Sequence, residues 1–324
     1  PYAAEYPIEG CVEGVLATAT ITRGEILKID KDSVLGMPGV IAVIDDPRLT
    51  TRAAQGTANE APQQSPRTVC YWGQPIALVV AETFEQARDA AKHLAVEYRP
   101  HDGAPLSPDA VKPEEQEDET VRQGDLVHAM SEAAHSVDVT FTTKGHASAA
   151  MEPHAAIAQW DGDQLTVHAS LQMLNYNISE LADAIDLPEE KVRLVSRFVG
   201  GGFGSKLGVS EETVAAAIAA MQLERPVRVV MSRQQVFQCI MRRSETTQRL
   251  RLAADQKGRL TGFGHEALVS NLPGETFAEP VLQSSHFLYA AQNRKLMLEV
   301  ARIHRMTAGS VRAPGEAVGM PALE

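Results

Sequence analysis

Apolar residues along the chain fall into short runs and helical spacings, and this pattern predicts a mixed α and β fold. In the first third of the chain, apolar runs predict strands at residues 12–21, 40–44, 75–80 and 95–98. Thr83 is a good N-cap residue, and the apolar residues after it recur at helical spacing, at Phe84, Ala87, Ala91 and Leu94. We therefore expect a first α+β domain over residues 1–112.

The rest of the chain repeats the order of strand and then helix. Strands are predicted at residues 164–170 and 191–198. An amphipathic helix is predicted after each strand, the first with Ile178, Leu181 and Ile185, the second with Val214, Ala217, Ile218 and Met221. Residues 249–271 predict two strands joined by a turn at residues 255–258, which ends in glycine. These elements predict a second α+β domain over residues 121–324.

Two polar segments interrupt this pattern. Residues 112–119, Lys-Pro-Glu-Glu-Gln-Glu-Asp-Glu, combine like charges with a proline and cannot bury apolar area. We expect residues 113–120 to form a solvated acidic linker between the domains. A calcium site is the alternative, but the segment lacks the alternating ligands and the glycine of an EF-hand. Residues 50–66 are rich in Gln, Ala and Pro, and we expect a mobile loop there.

The composition excludes several classes of protein. The 324-residue chain has 30 Lys and Arg against 42 Asp and Glu, a net charge of −12, which argues against binding to nucleic acid or to an anionic membrane surface. No apolar run reaches the roughly 18 residues that span a bilayer, so we expect no membrane span. Cys11, Cys70 and Cys239 are too scattered for an iron–sulfur or structural zinc site, which needs about four grouped ligands.

Candidate chemistry enters with a glycine-rich run, Val-Gly-Gly-Gly-Phe-Gly-Ser-Lys, at residues 199–206. The run lies between a predicted strand and a predicted helix. Glycine there lets backbone N–H groups approach an anionic or extended ligand, and the helix N-terminus is expected to add positive potential. The run is neither a Walker A loop, which requires Gly-Lys-Ser/Thr, nor a dinucleotide fingerprint, because Ser205 replaces the third glycine. A tight turn without a ligand is the alternative.

Three further segments accompany the glycine run. They are Met-Glu-Pro-His at residues 151–154, Ala-Ser-Leu-Gln-Met at 169–173 and Ser-Val-Arg-Ala-Pro-Gly-Glu-Ala at 310–317. Together these four motifs resemble the molybdenum-cofactor-binding large subunit of the xanthine dehydrogenase and aldehyde oxidase family, and most of all the bacterial aldehyde oxidoreductase large subunits. The N-terminal half, from Tyr2 to Pro100, fits the same family.

The resemblance carries expectations for the architecture. It implies a hammerhead-type α/β domain at residues 1–112, followed at 121–324 by the first part of a molybdopterin-binding α+β domain. Because family members continue for several hundred residues, we expect the chain to be a piece of a longer subunit.

The resemblance also implies that an organic pterin holds the molybdenum and that no protein side chain is a direct metal ligand. We expect Gln172 to donate a hydrogen bond to an apical oxo group, with a solvent-facing glutamine at a strand end as the alternative. Arg312 is expected at the pterin edge or at an anionic molybdenum ligand, with a surface ion pair as the alternative. Core packing is the alternative for Phe203. The expected cofactor-binding residues are Gln172, Gly201, Gly202, Phe203, Gly204, Arg312 and Ala313.

Two residues beside these motifs are interpreted as structural. His154 is expected to be hydrogen-bonded packing, because a lone histidine is more often that than a ligand. Lys206 is expected to support the loop or to pair with a nearby carboxylate.

Leu207 separates two substrate classes. Purine-hydroxylating members of the family carry a glutamate directly after the loop lysine, whereas leucine cannot hydrogen-bond a heterocycle. We therefore expect Leu207 to line a substrate pocket for aldehydes, particularly aromatic ones. The family's general base is a glutamate in a Gly-x-Gly-Glu-like segment, which is not found here, and Glu316 belongs to the pterin-side motif. No catalytic residue is expected in this chain, and the base glutamate is expected downstream of Glu324.

The expected activity is the oxidation of aldehydes to carboxylic acids with water as the oxygen source. The expected cofactor is molybdenum–molybdopterin in its cytosine dinucleotide form. The chain has no iron–sulfur or flavin motif, so the resemblance implies an iron–sulfur subunit and an FAD subunit as partners. The alternatives are a purine or N-heterocycle hydroxylase and a non-catalytic anion-binding module. The compartment is not determined, with the cytoplasm favoured over the periplasm, and the isolated chain is expected to be inactive.

Overall fold

The computed structural model describes residues 1–49 and 67–324. The loop predicted at residues 50–66 lies outside the described residues.

The described residues among the first hundred form six strands and two α-helices. In chain order these are β1 (Val12–Thr18), β2 (Gly24–Asp30), α1 (Asp32–Leu35), β3 (Val40–Ile44), β4 (Thr68–Val69), β5 (Pro75–Ala81), α2 (Phe84–His93) and β6 (Ala95–Pro100). The predicted N-cap of α2 is confirmed, because the Thr83 hydroxyl oxygen accepts a hydrogen bond from the Gln86 amide at 3.3 Å. β2 was not among the predicted strands. It contains a register shift between Ile26 and Lys28 that breaks the alternation of apolar and polar residues.

The remaining chain contributes twelve strands and five α-helices. They are β7 (Glu114–Glu115), β8 (Val121–Gln123), α3 (Leu126–Ser131), β9 (His135–Thr143), β10 (His146–Ala147), β11 (Ala155–Asp161), β12 (Gln164–Ala169), α4 (Leu174–Ile185), β13 (Val192–Val195), α5 (Glu211–Leu223), β14 (Val227–Val230), α6 (Arg233–Cys239), β15 (Arg242–Arg243), β16 (Thr246–Ala254), β17 (Leu260–Asn271), β18 (Asn293–Arg302) and α7 (Glu316–Leu323). Short 3-10 turns occur at Ala3–Glu5, Pro47–Leu49, Pro108–Ala110, Glu117–Glu119, Glu189–Lys191 and Ser284–His286.

One seven-stranded sheet contains strands from both halves of the chain. Its order is β13-β12-β11-β14-β1-β5-β3, and β1 lies parallel to β14 with Val12 opposite Val227. α5 packs on β11 and β14, and every residue from Glu211 to Ala220 is buried. The chain passes from the first predicted domain to the second near residue 112. The hydrophobic core packed against this sheet nevertheless contains residues from both sides of that position.

The acidic segment predicted to be a solvated linker is attached to a second sheet. That sheet has the order β7-β18-β17-β16-β9, with β8 also pairing with β18. Glu114 and Glu115 pair antiparallel with Val300 and Glu299, and the Gln116 amide donates to the Leu298 carbonyl at 2.8 Å. The side chains of Glu114 and Glu115 stay exposed. Strand pairing uses only backbone groups, so a run of exposed charges does not prevent it.

The strand order of the first sheet brings two of the sequence motifs together. β12 and β13 lie parallel, with Leu165 opposite Val192 and His168 opposite Val195. Parallel neighbours end at the same edge of a sheet. The segment that carries Gln172 follows β12, and the glycine-rich run follows β13, so the two motifs emerge side by side.

Candidate functional site

Three of the sequence motifs meet around one cavity of about 590 Å³. Its lining is Gln172, Gly202, Phe203, Gly204, Leu207, Ser310, Val311, Arg312 and Pro314. Six of the eight predicted site residues are therefore in the lining. The other two, Gly201 and Ala313, are adjacent in sequence to lining residues but are not part of the lining.

Gln172 is bound to the glycine loop through one end of its side-chain amide. Its Oε1 accepts hydrogen bonds from the Gly204 amide at 3.2 Å and the Lys206 amide at 3.3 Å. Its own backbone amide donates to the Lys206 carbonyl at 2.7 Å. None of the described residues accepts a hydrogen bond from Nε2 of Gln172, so this amide keeps two N–H donors for a ligand.

Glycine is required in the loop because other groups approach its backbone closely. A Cβ placed on Gly202 would lie 2.1 Å from Oε1 of Gln172. A Cβ on Gly204 would lie 2.1 Å from the Ser310 carbonyl oxygen, and Gly204 also has a φ of +100°. The glycines thus admit Gln172 on one side and the segment that carries Arg312 on the other.

Phe203 connects the loop to that segment. Its φ is +53°, an uncommon value for a residue with a side chain. Its carbonyl accepts a hydrogen bond from the Arg312 amide at 2.7 Å. The Phe203 side chain is 43% exposed and lines the cavity, so its alternative reading as core packing is wrong.

A buried ion pair anchors both ends of the glycine loop. Nζ of Lys206, which is 0% exposed, lies 3.0 Å from Oε2 of Glu152 and 2.8 Å from the Ser170 hydroxyl. The same Glu152 oxygen accepts from the Gly200 amide at 2.7 Å and from Ser170 at 2.6 Å. Burial lowers the pKa of Lys206 from its ordinary value. Burial opposes ionisation of Glu152 too, but hydrogen bonds from Ser170, Gly200 and Lys206 hold its pKa below the usual range.

His154 supports the centre of the loop. It is buried, and its Nε2 lies 3.0 Å from the Ser205 carbonyl oxygen. Burial lowers the pKa of His154 to about 4, so the ring is neutral at pH 7 and Nε2 carries the proton that it donates. This position fits a structural role.

The helix after the loop lies outside the cavity lining. α5 begins at Glu211, and none of its residues lines the cavity. Its first turn holds two buried carboxyl groups, Glu211 and Glu212, and burial raises the pKa of Glu212 to about 7. The positive potential expected from this helix N-terminus stays a prediction, and the acidic residues in the first turn of the helix oppose it.

Hydrogen-bond donors dominate what the site offers to a ligand. Among the described residues, none accepts a hydrogen bond from the amides of Gly202 or Phe203, which both line the cavity. The exposed guanidinium of Arg312 adds a permanent cation. With Nε2 of Gln172, these groups suit an anionic ligand rich in oxygen or sulfur acceptors. Within residues 1–49 and 67–324, His, Cys, Asp and Glu side chains form no cluster of three that could hold a metal ion.

Two functional candidates were missed by the sequence analysis. Arg243 lies on β15 and Glu279 in the loop after β17, and both contact the backbone of the segment that carries Arg312. Neither belongs to a recognisable motif.

Comparison with known families decides the identity of this arrangement. Residues 110–324 match the molybdopterin cofactor-binding domain, and residues 1–102 match the a/b hammerhead domain of aldehyde oxidase and xanthine dehydrogenase. The chain belongs to the aldehyde oxidase and xanthine dehydrogenase family. The predicted family is confirmed, and so is the α+β fold class.

Two relatives illustrate the range within the family. The aldehyde oxidoreductase molybdenum-binding subunit of Escherichia coli K12 is 39% identical over 330 residues, covering 100% of this chain and 44% of the relative. The nicotinate dehydrogenase large molybdopterin subunit of Eubacterium barkeri is 26% identical over 270 residues, covering 80% of this chain and 63% of the relative. The chain thus spans less than half the length of its aldehyde oxidoreductase relative.

Solved structures support the fold. Aldehyde oxidoreductase from Desulfovibrio gigas superposes with a TM-score of 0.83 at 23% identity, over 99% of this chain and 38% of the other. Quinoline 2-oxidoreductase from Pseudomonas putida 86 superposes with a TM-score of 0.85 at 20% identity, over 97% of this chain and 44% of the other. In the described part of this family member, no helix has both the length and the apolar character needed to cross a membrane.

Proposed function

We propose that this chain forms one wall of the molybdenum-cofactor pocket in an aldehyde-oxidising molybdenum hydroxylase. The observation that carries the proposal is the cavity of about 590 Å³ in which Gln172, the glycine loop and Arg312 present hydrogen-bond donors without described acceptors. The E. coli relative aligns with 100% of this chain, and it is described as the molybdenum-binding subunit of an aldehyde oxidoreductase.

The residues present fit a pterin-bound molybdenum group. Gln172 would donate through Nε2, and the amides of Gly202 and Phe203 would meet acceptor atoms along the ligand. Arg312 would neutralise negative charge. When bound, the cofactor supplies oxygen-atom and electron transfer, while these residues bind and orient it. The cytosine dinucleotide form, an iron–sulfur subunit and an FAD subunit are part of the proposal, as is a base glutamate elsewhere in the whole protein.

Leu207 supports aldehydes as the substrate class. Its side chain is half-buried in the cavity wall and offers no hydrogen bond to a heterocycle. Its backbone is fixed, because its carbonyl accepts from Nδ2 of Asn177 at 2.7 Å and its amide donates to Gly204 at 3.2 Å. A fixed apolar wall favours an apolar or aromatic aldehyde over a purine.

The test uses the full-length protein purified with its partner subunits. Elemental analysis is expected to find about one molybdenum per subunit. Turnover with an artificial electron acceptor is expected for benzaldehyde and not for hypoxanthine. A molybdenum-free protein with its partners present would contradict the cofactor assignment. Hypoxanthine turnover that equals or exceeds benzaldehyde turnover would contradict the substrate assignment.

A further inference from the structure

A buried ion pair lies directly behind the cavity wall. Arg243 and Glu279 are 4% and 0% exposed, and Nη1 of Arg243 lies 2.5 Å from Oε1 of Glu279. Neither side chain lines the cavity. Both contact the backbone of the segment that carries Arg312.

The pair binds the backbone of that segment at four of its five positions from residue 311 to residue 315. Nη2 of Arg243 donates to the carbonyls of Val311 at 2.8 Å and Arg312 at 2.5 Å, and Nη1 lies 3.5 Å from the Ala313 carbonyl. Oε1 of Glu279 accepts from the Gly315 amide at 2.7 Å.

The segment needs such an anchor because its backbone is strained. Ala313 has a φ of +54°, in the left-handed region that a residue with a side chain seldom adopts. Consecutive carbonyls in an extended chain point in opposite directions, whereas three carbonyls here meet one guanidinium. A planar fork of N–H donors can hold several carbonyls in this way. Without it, the segment would lose the interaction that favours its left-handed turn.

We propose that the Arg243–Glu279 pair is a positioning device for the cofactor wall, which fixes the backbone of residues 311–315 so that Val311, Arg312 and Pro314 line the cavity. The inference rests on the proposed function. The positioning effect of the pair also reaches the glycine loop, because the Arg312 amide donates to the Phe203 carbonyl at 2.7 Å.

Positioning can be separated from stability. Replacing both members of a buried ion pair with apolar residues of similar volume is often neutral for stability, because the desolvation cost of two charges disappears. The double variant Arg243→Met/Glu279→Met removes every hydrogen bond from the pair to residues 311–315 and leaves no buried charge unpaired.

The experiment uses this double variant in the full-length protein with its partner subunits. We expect a folded protein in which the molybdenum content falls at least about fivefold. Hydrogen–deuterium exchange at the Arg312 and Gly315 amides should accelerate at least about tenfold. Wild-type molybdenum content with unchanged exchange would overturn the proposal. Failure of the double variant to fold would also overturn it, because the pair would then be a stability element.

Two further variants sharpen the test. Glu279→Gln keeps an oxygen that can accept from Gly315 and Arg243, and should retain at least about half of the molybdenum, whereas Glu279→Ala should lose most of it. Equal losses in these two variants would overturn the proposal. The matched control is Glu266→Gln. Glu266 lies on β17, away from the cavity, and its carboxylate pairs with Arg251 and Lys295. This control should keep wild-type molybdenum, and a loss equal to that of the double variant would overturn the proposal.

The same design separates the inference from the proposed function. If the wild-type complex contains no molybdenum, the proposed function fails, and the exchange measurement still decides whether the pair orders residues 311–315. Accelerated exchange in the double variant would support that ordering role, whereas unchanged exchange would overturn it.

Discussion

Replacing Gly202 with alanine should displace Gln172 from the glycine loop. The new Cβ would lie 2.1 Å from Oε1 and 2.5 Å from Cδ of Gln172, so the amide must move. The φ of Gly202 is not in the left-handed region, so the variant introduces no backbone strain. The substitution therefore isolates a single steric effect.

The cost follows from the hydrogen bonds that Gln172 would give up. Its Oε1 serves the buried amides of Gly204 and Lys206. Each unsatisfied buried amide costs about 1–3 kcal/mol, so we expect the loss of both hydrogen bonds in Gly202→Ala to destabilise the loop by about 2–6 kcal/mol. At about 1.4 kcal/mol per tenfold change, hydrogen exchange at the Lys206 amide should accelerate by roughly 30-fold or more.

The assay is hydrogen–deuterium exchange on the full-length protein, with molybdenum content measured in parallel. In a Gln172→Ala background, the same Gly202→Ala change should have little further effect, because the group it collides with is gone. Gly36→Ala is the control, since among the described residues a Cβ there meets no atom within 4 Å. Unchanged exchange at Lys206, or full additivity with Gln172→Ala, would refute the reasoning.

Three further predictions concern the supports and the substrate wall. Lys206→Met leaves the Glu152 carboxylate buried without its cation and should lower the free energy of unfolding, measured by thermal unfolding, by about 3 kcal/mol. Adding Glu152→Gln should restore part of this stability, and an unchanged stability of Lys206→Met would contradict the ion-pair account. His154 has a folded pKa of about 4 against 6.5 ordinarily, so its contribution to stability is complete above pH 6.5 and is lost, by about 3 kcal/mol, as the pH falls towards 4. The urea midpoint should therefore drop less between pH 7 and pH 5 in His154→Gln, and an equal drop would contradict this. Leu207→Glu should lower kcat/KM for benzaldehyde at least about tenfold in the full-length complex, which is about 1.4 kcal/mol of transition-state binding. Unchanged kinetics would show that Leu207 does not line the pocket.

The sequence predicted eight of the eighteen strands and three of the seven α-helices of the described residues, at places where local periodicity and capping are clear. β3 and the capped start of α2 lie where the pattern placed them. β2 was not predicted because its bulge interrupts the alternation of apolar and polar residues. Sheet order depends on long-range pairing, so nothing local indicated that β1 would join β14, whose residues lie more than two hundred positions away.

The site residues also divide into those with a local sequence signal and those without one. Gln172, the glycine run and Arg312 belong to recognisable motifs, and the structure brings them to one cavity. Arg243 and Glu279 had no such signal. They are 36 residues apart, and Arg243 binds a carbonyl 68 residues further along the chain. A buried charge with a distant partner looks in sequence like any surface charge.

We propose that the cavity between Gln172 and Arg312 holds the molybdenum cofactor. The most direct measurement is an experimental structure of the full-length protein purified with its partner subunits. We predict a pterin-bound molybdenum in this cavity, with an oxygen or sulfur of the cofactor within hydrogen-bond distance of Nε2 of Gln172. A cofactor bound elsewhere, or a cavity filled by other parts of the protein, would contradict the account.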